Sequence, residues 1–328
     1  MAKRLTRTLI SGVVKAECYG HGLALAKYIE SELDCFSVAG LDEAIALRKL
    51  GVSKPIHILG SIGLDYSCSF MNHLEGIILT VTDMPSFSVI CQIQKPIIVD
   101  IEINTGMNRT GVTPKEFFEI IPVILPNNNI TLRGVFTHFA DGGDIDFCGQ
   151  QLDVFEKITE WLPKNIIRHC CATNFCKLPK RFYMDAIRLG LGMYGYGGDE
   201  FEPTLSAWGK VVQINIIKAG DRVGYGNTVL ERDTRTATVD FGYGDGVSRA
   251  LSHRNGKIAI SGQLFDIVGT VCMDMIMLEI GNADISVGNK AYYISKAYGA
   301  TQIAKCANTI EYEILTAVNL RSKYVYKE

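Results

Sequence analysis

Apolar and polar positions follow two different rhythms along the chain. Up to about residue 195, short apolar runs rich in β-branched residues recur at 9–14, 36–38, 56–59, 76–80, 97–103, 134–137, 166–169 and 186–188. Runs of this length predict buried strands. Between them, helical periodicity covers 21–33, 41–49, 113–121 and 150–161. The second of these opens on Leu41-Asp42-Glu43, with acids in its first turn, where they favour a helix start. Eight β-segments alternating with helices predict an α/β fold, a (β/α)8 TIM-like barrel. An open doubly wound sheet is the alternative, but no Gly-x-Gly-x-x-Gly follows an early strand.

After Gly197-Gly198-Asp199-Glu200-Phe201-Glu202-Pro203 the rhythm changes. An alternating stretch over 208–217 closes on Lys218-Ala219-Gly220-Asp221, a turn. Short strands are expected at 236–241, 257–260, 267–273, 275–280 and 289–294, with one helix over 300–309 ahead of a last segment at 311–320. The organisation expected is therefore a barrel over 1–200 followed by a mostly β domain over 201–328. No internal repeat interrupts it.

Composition narrows the partners. The 33 Lys and Arg against 35 Asp and Glu give a net charge of −2, which supplies no field for nucleic acid or an anionic membrane. No apolar run approaches a membrane span, and the first residues, Met-Ala-Lys-Arg-Leu-Thr-Arg, lack the apolar core of a signal peptide. The 10 cysteines are scattered, and Cys170-Cys171 with Cys176 lacks the paired spacing of a zinc site. Reduced thiols and a cytoplasmic location are expected.

The candidate chemistry begins at Lys15, which ends an apolar run and precedes Tyr19-Gly20-His21-Gly22. That places it near the C-terminal end of a first strand, where an α/β barrel builds its active site. A desolvated lysine there can lose its proton and form a Schiff base with an aldehyde such as pyridoxal phosphate (PLP). The plainer alternative on the segment alone is a lysine that closes a strand and snorkels to solvent.

Seven ordered segments extend the argument: Val-Val-Lys-Ala-Glu-Cys-Tyr-Gly-His-Gly at 13–22, Asn-Thr-Gly-Met-Asn-Arg-Thr-Gly-Val at 104–112, Thr-His-Phe-Ala at 137–140, Ile-Arg-Leu-Gly-Leu-Gly-Met-Tyr-Gly at 187–195, Gly-Tyr-Gly-Asp-Gly at 242–246, Cys-Met-Asp at 272–274 and Tyr-Glu-Ile-Leu at 312–315. Together they resemble the alanine racemase family, PLP enzymes with an N-terminal barrel and a C-terminal β-domain. The resemblance implies that Lys15 holds PLP and works as acid and base on one face of the substrate Cα. It makes Tyr243 the group on the opposite face, contributed from the second subunit of a homodimer that acts on a small amino acid. With an ordinary pKa of about 10, a tyrosine is a poor base at neutral pH, and the resemblance offers His138 as the partner that tunes it. On the residues alone, Tyr243 is an aromatic in a glycine-rich turn and His138 a core histidine.

The remaining roles are also implied by the resemblance. Arg188 faces the pyridine nitrogen of PLP, and because arginine does not readily give up a proton it leaves the ring a weaker electron sink. His169 supports Arg188. The Tyr19, Thr173 and Tyr312 hydroxyls and the backbone N–H groups around Gly190 and Leu191 hold the phosphate. Arg109 and the Met273 backbone N–H take the substrate carboxylate and the developing charge, and Asp274 belongs to the substrate entrance or the dimer interface. Each has a plainer alternative: a buried histidine, an ion-paired strand arginine, a solvated loop charge, a turn aspartate.

Three features depart from the family. Glu102 stands where a carbamylated lysine is common, and we expect its carboxylate to orient Arg109 in place of the carbamate. Ala172-Thr173 stands where Asn-Ser is frequent, with Asn174 displaced. Only fourteen residues precede Lys15, so the chain is either a short form or a truncated one. The reading is a PLP-dependent alanine racemase; alternatives are a serine racemase of the same family, a non-catalytic PLP-binding protein, and a decarboxylase of the same barrel type.

Overall fold

A computed structural model describes residues 8–62, 74–173, 178–198, 200–318 and 321–327. The chain forms two compact units. One contains the residues up to Cys18 with Leu23–Met193, and the other Tyr19–Gly22 with everything from Tyr194 onward.

In the first unit eight parallel strands close into a barrel in sequence order: β1 (Leu9–Val13), β2 (Cys35–Val38), β3 (Ile56–Ile58), β4 (Ile77–Val81), β5 (Ile97–Glu102), β6 (Ile130–Phe136), β7 (Ile167–Ala172) and β8 (Ala186–Leu189). Strand β1 pairs with both β2 and β8, which closes the ring and excludes the open sheet. Strand β4 is buried at every position, as a parallel strand covered on both faces must be.

Helices Leu25–Ile29, Leu41–Lys49, Pro114–Ile124 and Ile145–Thr159 fall on the segments read as helical, with shifted ends. Helix Met84–Cys91 was not anticipated, because its mostly apolar sequence has little amphipathic contrast. Its start signal is local. Asp83 accepts from the Ser86 N–H at 2.7 Å while the Ser86 hydroxyl accepts from the Asp83 N–H at 3.1 Å, a reciprocal cap with Pro85 in the first turn. Thr113 and Glu116 cap Pro114–Ile124 in the same way.

Two register shifts interrupt the barrel. Val99 faces Leu132 but Asp100 faces Gly134, which leaves Arg133 as the extra residue of a bulge. On the other side His169 faces Ala186 whereas Ala172 faces Arg188. Bulges bend a strand and re-aim its side chains.

The second unit contains β9 (Ala207–Ile217), the short pair β10 (Arg222–Val223) and β11 (Thr228–Val229), β12 (Thr234–Val239), β13 (Lys257–Ile260), β14 (Gln263–Val268), β15 (Ile276–Glu279) and β16 (Lys290–Ile294). Six of them close an antiparallel barrel in the order β12-β15-β14-β13-β16-β9. The strand expected at 267–273 instead begins at Gln263. It forms a hairpin with β13 across Ser261-Gly262, both at positive φ (51° and 80°), which matches the twist of the flanking strands. The 311–320 segment begins with a helix, Glu311–Ala317, which follows helix Ala300–Ala307.

Among the described residues no cysteine, from Cys18 to Cys306, is in a disulfide; Cys68 and Cys176 lie outside the described residues. Among the described residues no helix is long and apolar enough to cross a membrane.

Candidate active site

Lys15 emerges from β1 into a turn of unusual hand. Ala16, Glu17, Cys18 and Tyr19 have φ of 50°, 54°, 53° and 54°, the left-handed helical region that only glycine enters without penalty. The turn is tied down on several sides. The Ala16 N–H donates to Glu43 at 2.8 Å, and the other oxygen of Glu43 accepts from the Ala39 N–H at 2.7 Å. Cys18 N–H donates to the Val14 carbonyl at 3.1 Å, and Glu17 accepts from the Leu23 N–H at 2.9 Å. Burial and then the Arg109 charge push the Lys15 amine below its ordinary pKa, against the pull of Glu43. A neutral amine is therefore more accessible here than on an exposed lysine.

Arg188, third residue of β8, is buried and held by three carbonyls and two imidazoles. It donates to the carbonyls of Thr137 at 2.9 Å, Cys170 at 3.2 Å and His169 at 3.3 Å. Its remaining partners are Nδ1 of His169 at 2.5 Å and Nδ1 of His138 at 3.1 Å. Burial lowers the Arg188 pKa, but a guanidinium remains charged in proteins. Burial, followed by the charges of Arg188, Arg109 and Lys15, brings His138 down to about 3. The His138 ring is thus neutral near pH 7. With Nδ1 accepting from Arg188, its single proton sits on Nε2. Burial also holds His169 at about 4, the bond to Asp100 opposing.

Arg109 rides on a loop pinched at its base by the Ile103–Val112 bridge. Inside the loop the Asn104 side-chain oxygen Oδ1 accepts from the N–H groups of Gly106 (3.0 Å) and Asn108 (3.1 Å). Gly111 has φ of 106°, and a Cβ there would lie 2.7 Å from the Asn104 nitrogen, so only glycine closes this loop. Glu102 lies below it, buried, its pKa raised by desolvation against a hydrogen bond from Thr110 and the charges of Arg188 and Arg109. It forms no ion pair with Arg109 among the described residues, and its Oε2 has no hydrogen-bond partner. At the end of β8, the Thr173 hydroxyl accepts from the N–H groups of Gly190 (3.0 Å) and Gly192 (3.2 Å), and Leu191 begins a short 3-10 turn, Leu191–Tyr194. Asn174 lies outside the described residues.

The second unit carries the other candidates. Tyr243 sits in a 3-10 turn, Tyr243–Asp245, and is 41% exposed. Its N–H donates to the Cys272 carbonyl at 2.9 Å, and the Gly244 N–H to the Met273 carbonyl at 2.8 Å. A Cβ at Gly242 would lie 2.4 Å from both carbonyl oxygens, so the two loops pack backbone to backbone. Arg321 bridges Asp245 at 3.3 Å and Asp274 at 2.8 Å, which makes Asp274 part of a clamp on the Tyr243 turn. Tyr19 stacks on Tyr194 at 4.9 Å and lies 5.8 Å from Tyr312 between ring centroids. Burial raises the Tyr19 pKa, so its hydroxyl stays a proton donor.

Residues 1–197 match the alanine racemase N-terminal domain and residues 204–326 the alanine racemase C-terminal domain. The chain belongs to the alanine racemase family. It is 32% identical to the alanine racemase of Vesicomyosocius okutanii subsp. Calyptogena okutanii (strain HA), over 96% of this chain and 91% of that protein. The alanine racemase of Clostridium difficile 630 superposes with a TM-score of 0.87 at 29% identity, covering 98% of this chain and 89% of the other. The alanine racemase of Bartonella henselae, solved with covalently bound pyridoxal phosphate, gives a TM-score of 0.89 at 26% identity, covering 99% and 94%. The activity that goes with this membership is interconversion of the enantiomers of alanine.

Three polar residues of the barrel interior were not anticipated: His57, Asp100 and Arg133. The signal was available, since Asp100 and Arg133 are charges set inside apolar strands, Ile-Ile-Val-Asp-Ile-Glu and Ile-Thr-Leu-Arg-Gly-Val-Phe.

Proposed function

We propose that this alanine racemase works with PLP attached to Lys15, and that Lys15 and Tyr243 move the substrate Cα proton on opposite faces. The observation that carries the reading is that an amine of lowered pKa and a buried, pinned guanidinium both bear on the same imidazole, His138. The donor set fits the cofactor. Lys15 offers the nucleophile and Arg188 a fixed cation; the Thr173 hydroxyl, which accepts from the Gly190 and Gly192 N–H groups, keeps its own proton to donate to an anionic phosphate, with the Leu191 backbone N–H beside it.

Bound PLP supplies an aldehyde for covalent capture of an amine and a ring that accepts electron density from the substrate Cα. Lys15 Nζ takes or returns the proton on its face, and Tyr243 Oη does so on the other. Neutral His138 stabilises the tyrosinate by donating from Nε2. Arg188 donates without surrendering its proton, so it does not protonate the group it faces. Arg109 binds the substrate carboxylate, with the Met273 N–H as a further donor, and the charge of buried Glu102 steadies Arg109 from below. The second unit supplies Tyr243 to the site of a partner subunit, so the working species is a homodimer in the cytoplasm.

The test is turnover of L-alanine beside L-serine, followed by circular dichroism, with borohydride trapping of the cofactor. The expected result is faster turnover of L-alanine and a reduced cofactor on the peptide containing Lys15. Faster turnover of L-serine would move the assignment to a serine racemase, and trapping at another lysine would remove Lys15 from its role.

A further inference from the structure

The barrel interior contains a line of polar groups that the proposed chemistry does not use. Arg133 donates through Nε to Asp100 Oδ1 at 2.9 Å, and through Nη2 to Oδ2. Asp100 Oδ2 in turn accepts from His169 Nε2 at 3.2 Å, and His169 Nδ1 accepts from Arg188 at 2.5 Å. A carboxylate can only accept and a guanidinium can only donate. With one on each side, the neutral His169 ring has a single allowed tautomer, with the proton on Nε2. The ring plane is fixed as well: Phe136 stacks on it at 4.9 Å and 9°, and the Arg188 guanidinium lies 5.1 Å over the same Phe136 ring.

The backbone is shaped around this line. The β5–β6 bulge makes Arg133 the unpaired residue beside Asp100, and the second shift follows His169. At Gly134 a Cβ would lie 2.8 Å from the Ile167 carbonyl oxygen and 3.1 Å from Asp100 Oδ1, so glycine leaves the room that the carboxylate occupies.

His57, Asp100 and His169 also form a set whose ligand atoms lie within 4.8 Å of one another, as a metal site would need. The bonding argues against a metal. Thr80 spends its hydroxyl proton on the Ile58 carbonyl at 2.5 Å, so at 2.9 Å from His57 Nε2 it accepts, and that nitrogen carries a proton. A metal would have to displace the protons on both Nε2 atoms beside the Arg133 charge, which already neutralises Asp100.

We propose that buried Asp100 and half-buried Arg133 are a positioning pair that fixes His169, and through it Arg188, for the cofactor. The proposal rests on the reading of Arg188 as part of the PLP site. Asp100 keeps His169 Nε2 engaged and its Nδ1 lone pair aimed at Arg188, and Arg133 keeps Asp100 ionised. Burial opposes ionisation of Asp100, but Arg133, His57 and the His169 bond hold its pKa well below the carboxylate range.

Two measurements test this. In cofactor-free protein carrying nitrogen-15 histidine, NMR is expected to show His169 neutral with the proton on Nε2 near pH 7. Zinc ion added alone is expected to leave the His57 and His169 signals in place. An Nδ1 proton, or a zinc-dependent shift of both rings, overturns the proposal. Asp100→Leu alone would strand the Arg133 charge and risks the fold, so the informative variant is the apolar pair Asp100→Leu/Arg133→Met. Apolar replacement of both partners of a buried ion pair is often tolerated. That variant, folded, is expected to bind PLP more weakly and to lose kcat, each by about 10–100-fold, as when the outer partner of a ligating histidine is removed, with KM for alanine unchanged. A folded variant with the PLP affinity and kcat of the original overturns the proposal. The imidazole and PLP-binding readouts need no racemisation, so their failure is distinct from failure of the functional reading.

Discussion

Lys15 and Tyr243 each open a short helical turn, yet they are held in opposite ways. Lys15 stands in a left-handed turn anchored by Glu43, and burial together with Arg109 reshapes its proton affinity within its own unit. Tyr243 is fixed by backbone bonds to Cys272 and Met273 and by the Arg321 clamp, while its side chain is 41% exposed. A group tuned by its own surroundings is a finished reagent. A group whose backbone is pinned while its side chain stays open is positioned but not yet enclosed.

The largest expected effect is that of Lys15→Ala, which should lower the racemisation rate at least about 10^3-fold, since it removes both an acid/base group and the covalent anchor. Borohydride should then leave no cofactor attached, as mass spectrometry would show. Tyr243→Phe should cost about 10^2–10^3-fold in kcat while cofactor trapping at Lys15 stays complete. If Tyr243→Phe also abolished trapping, the contrast between the two groups would be broken.

The smallest effect is on stability. His138 and His169, held at about 3 and about 4, stay neutral in the folded protein while unfolded imidazoles take up protons below about 6.5. The unfolded state therefore binds more protons in that window, and stability falls as pH drops from about 6.5 towards 4, by on the order of 1 kcal/mol per pH unit for each imidazole. Asp100 adds nothing to this slope, because the stabilisation from its depressed pKa is lost only once the pH falls below the ordinary carboxylate range of about 4. Urea midpoints between pH 7 and 4.5 would measure the slope. Tyr243→Phe should leave it unchanged, and His138→Gln should reduce it.

The eight barrel strands could be read from the chain because most are apolar runs buried along most of their length, and Lys15 and Arg188 fall where they were expected, just after the first strand and within the last. Other features were hidden for physical reasons. Nothing in Lys15-Ala-Glu-Cys-Tyr-Gly20 prescribes a left-handed turn, since tertiary bonds from Glu43 and Leu23 impose it. The pairing of Arg133 with Asp100 depends on a one-residue slip in register, which side-chain alternation does not reveal. Glu102, expected to orient Arg109, has a hydrogen bond from Thr110 and feels Arg109 through charge, an arrangement that residue spacing does not show.

The left-handed turn after Lys15 has a kinetic consequence. Each non-glycine residue in that conformation costs roughly 1–2 kcal/mol, and Ala16 to Tyr19 are four in succession. Such a segment is stable only once the groups that restrain it are in place, so it belongs on the native side of the folding barrier. Substitutions within it are expected to change the unfolding rate and leave the folding rate nearly untouched. Lys15 would then take its final place last, on a barrel that has already formed.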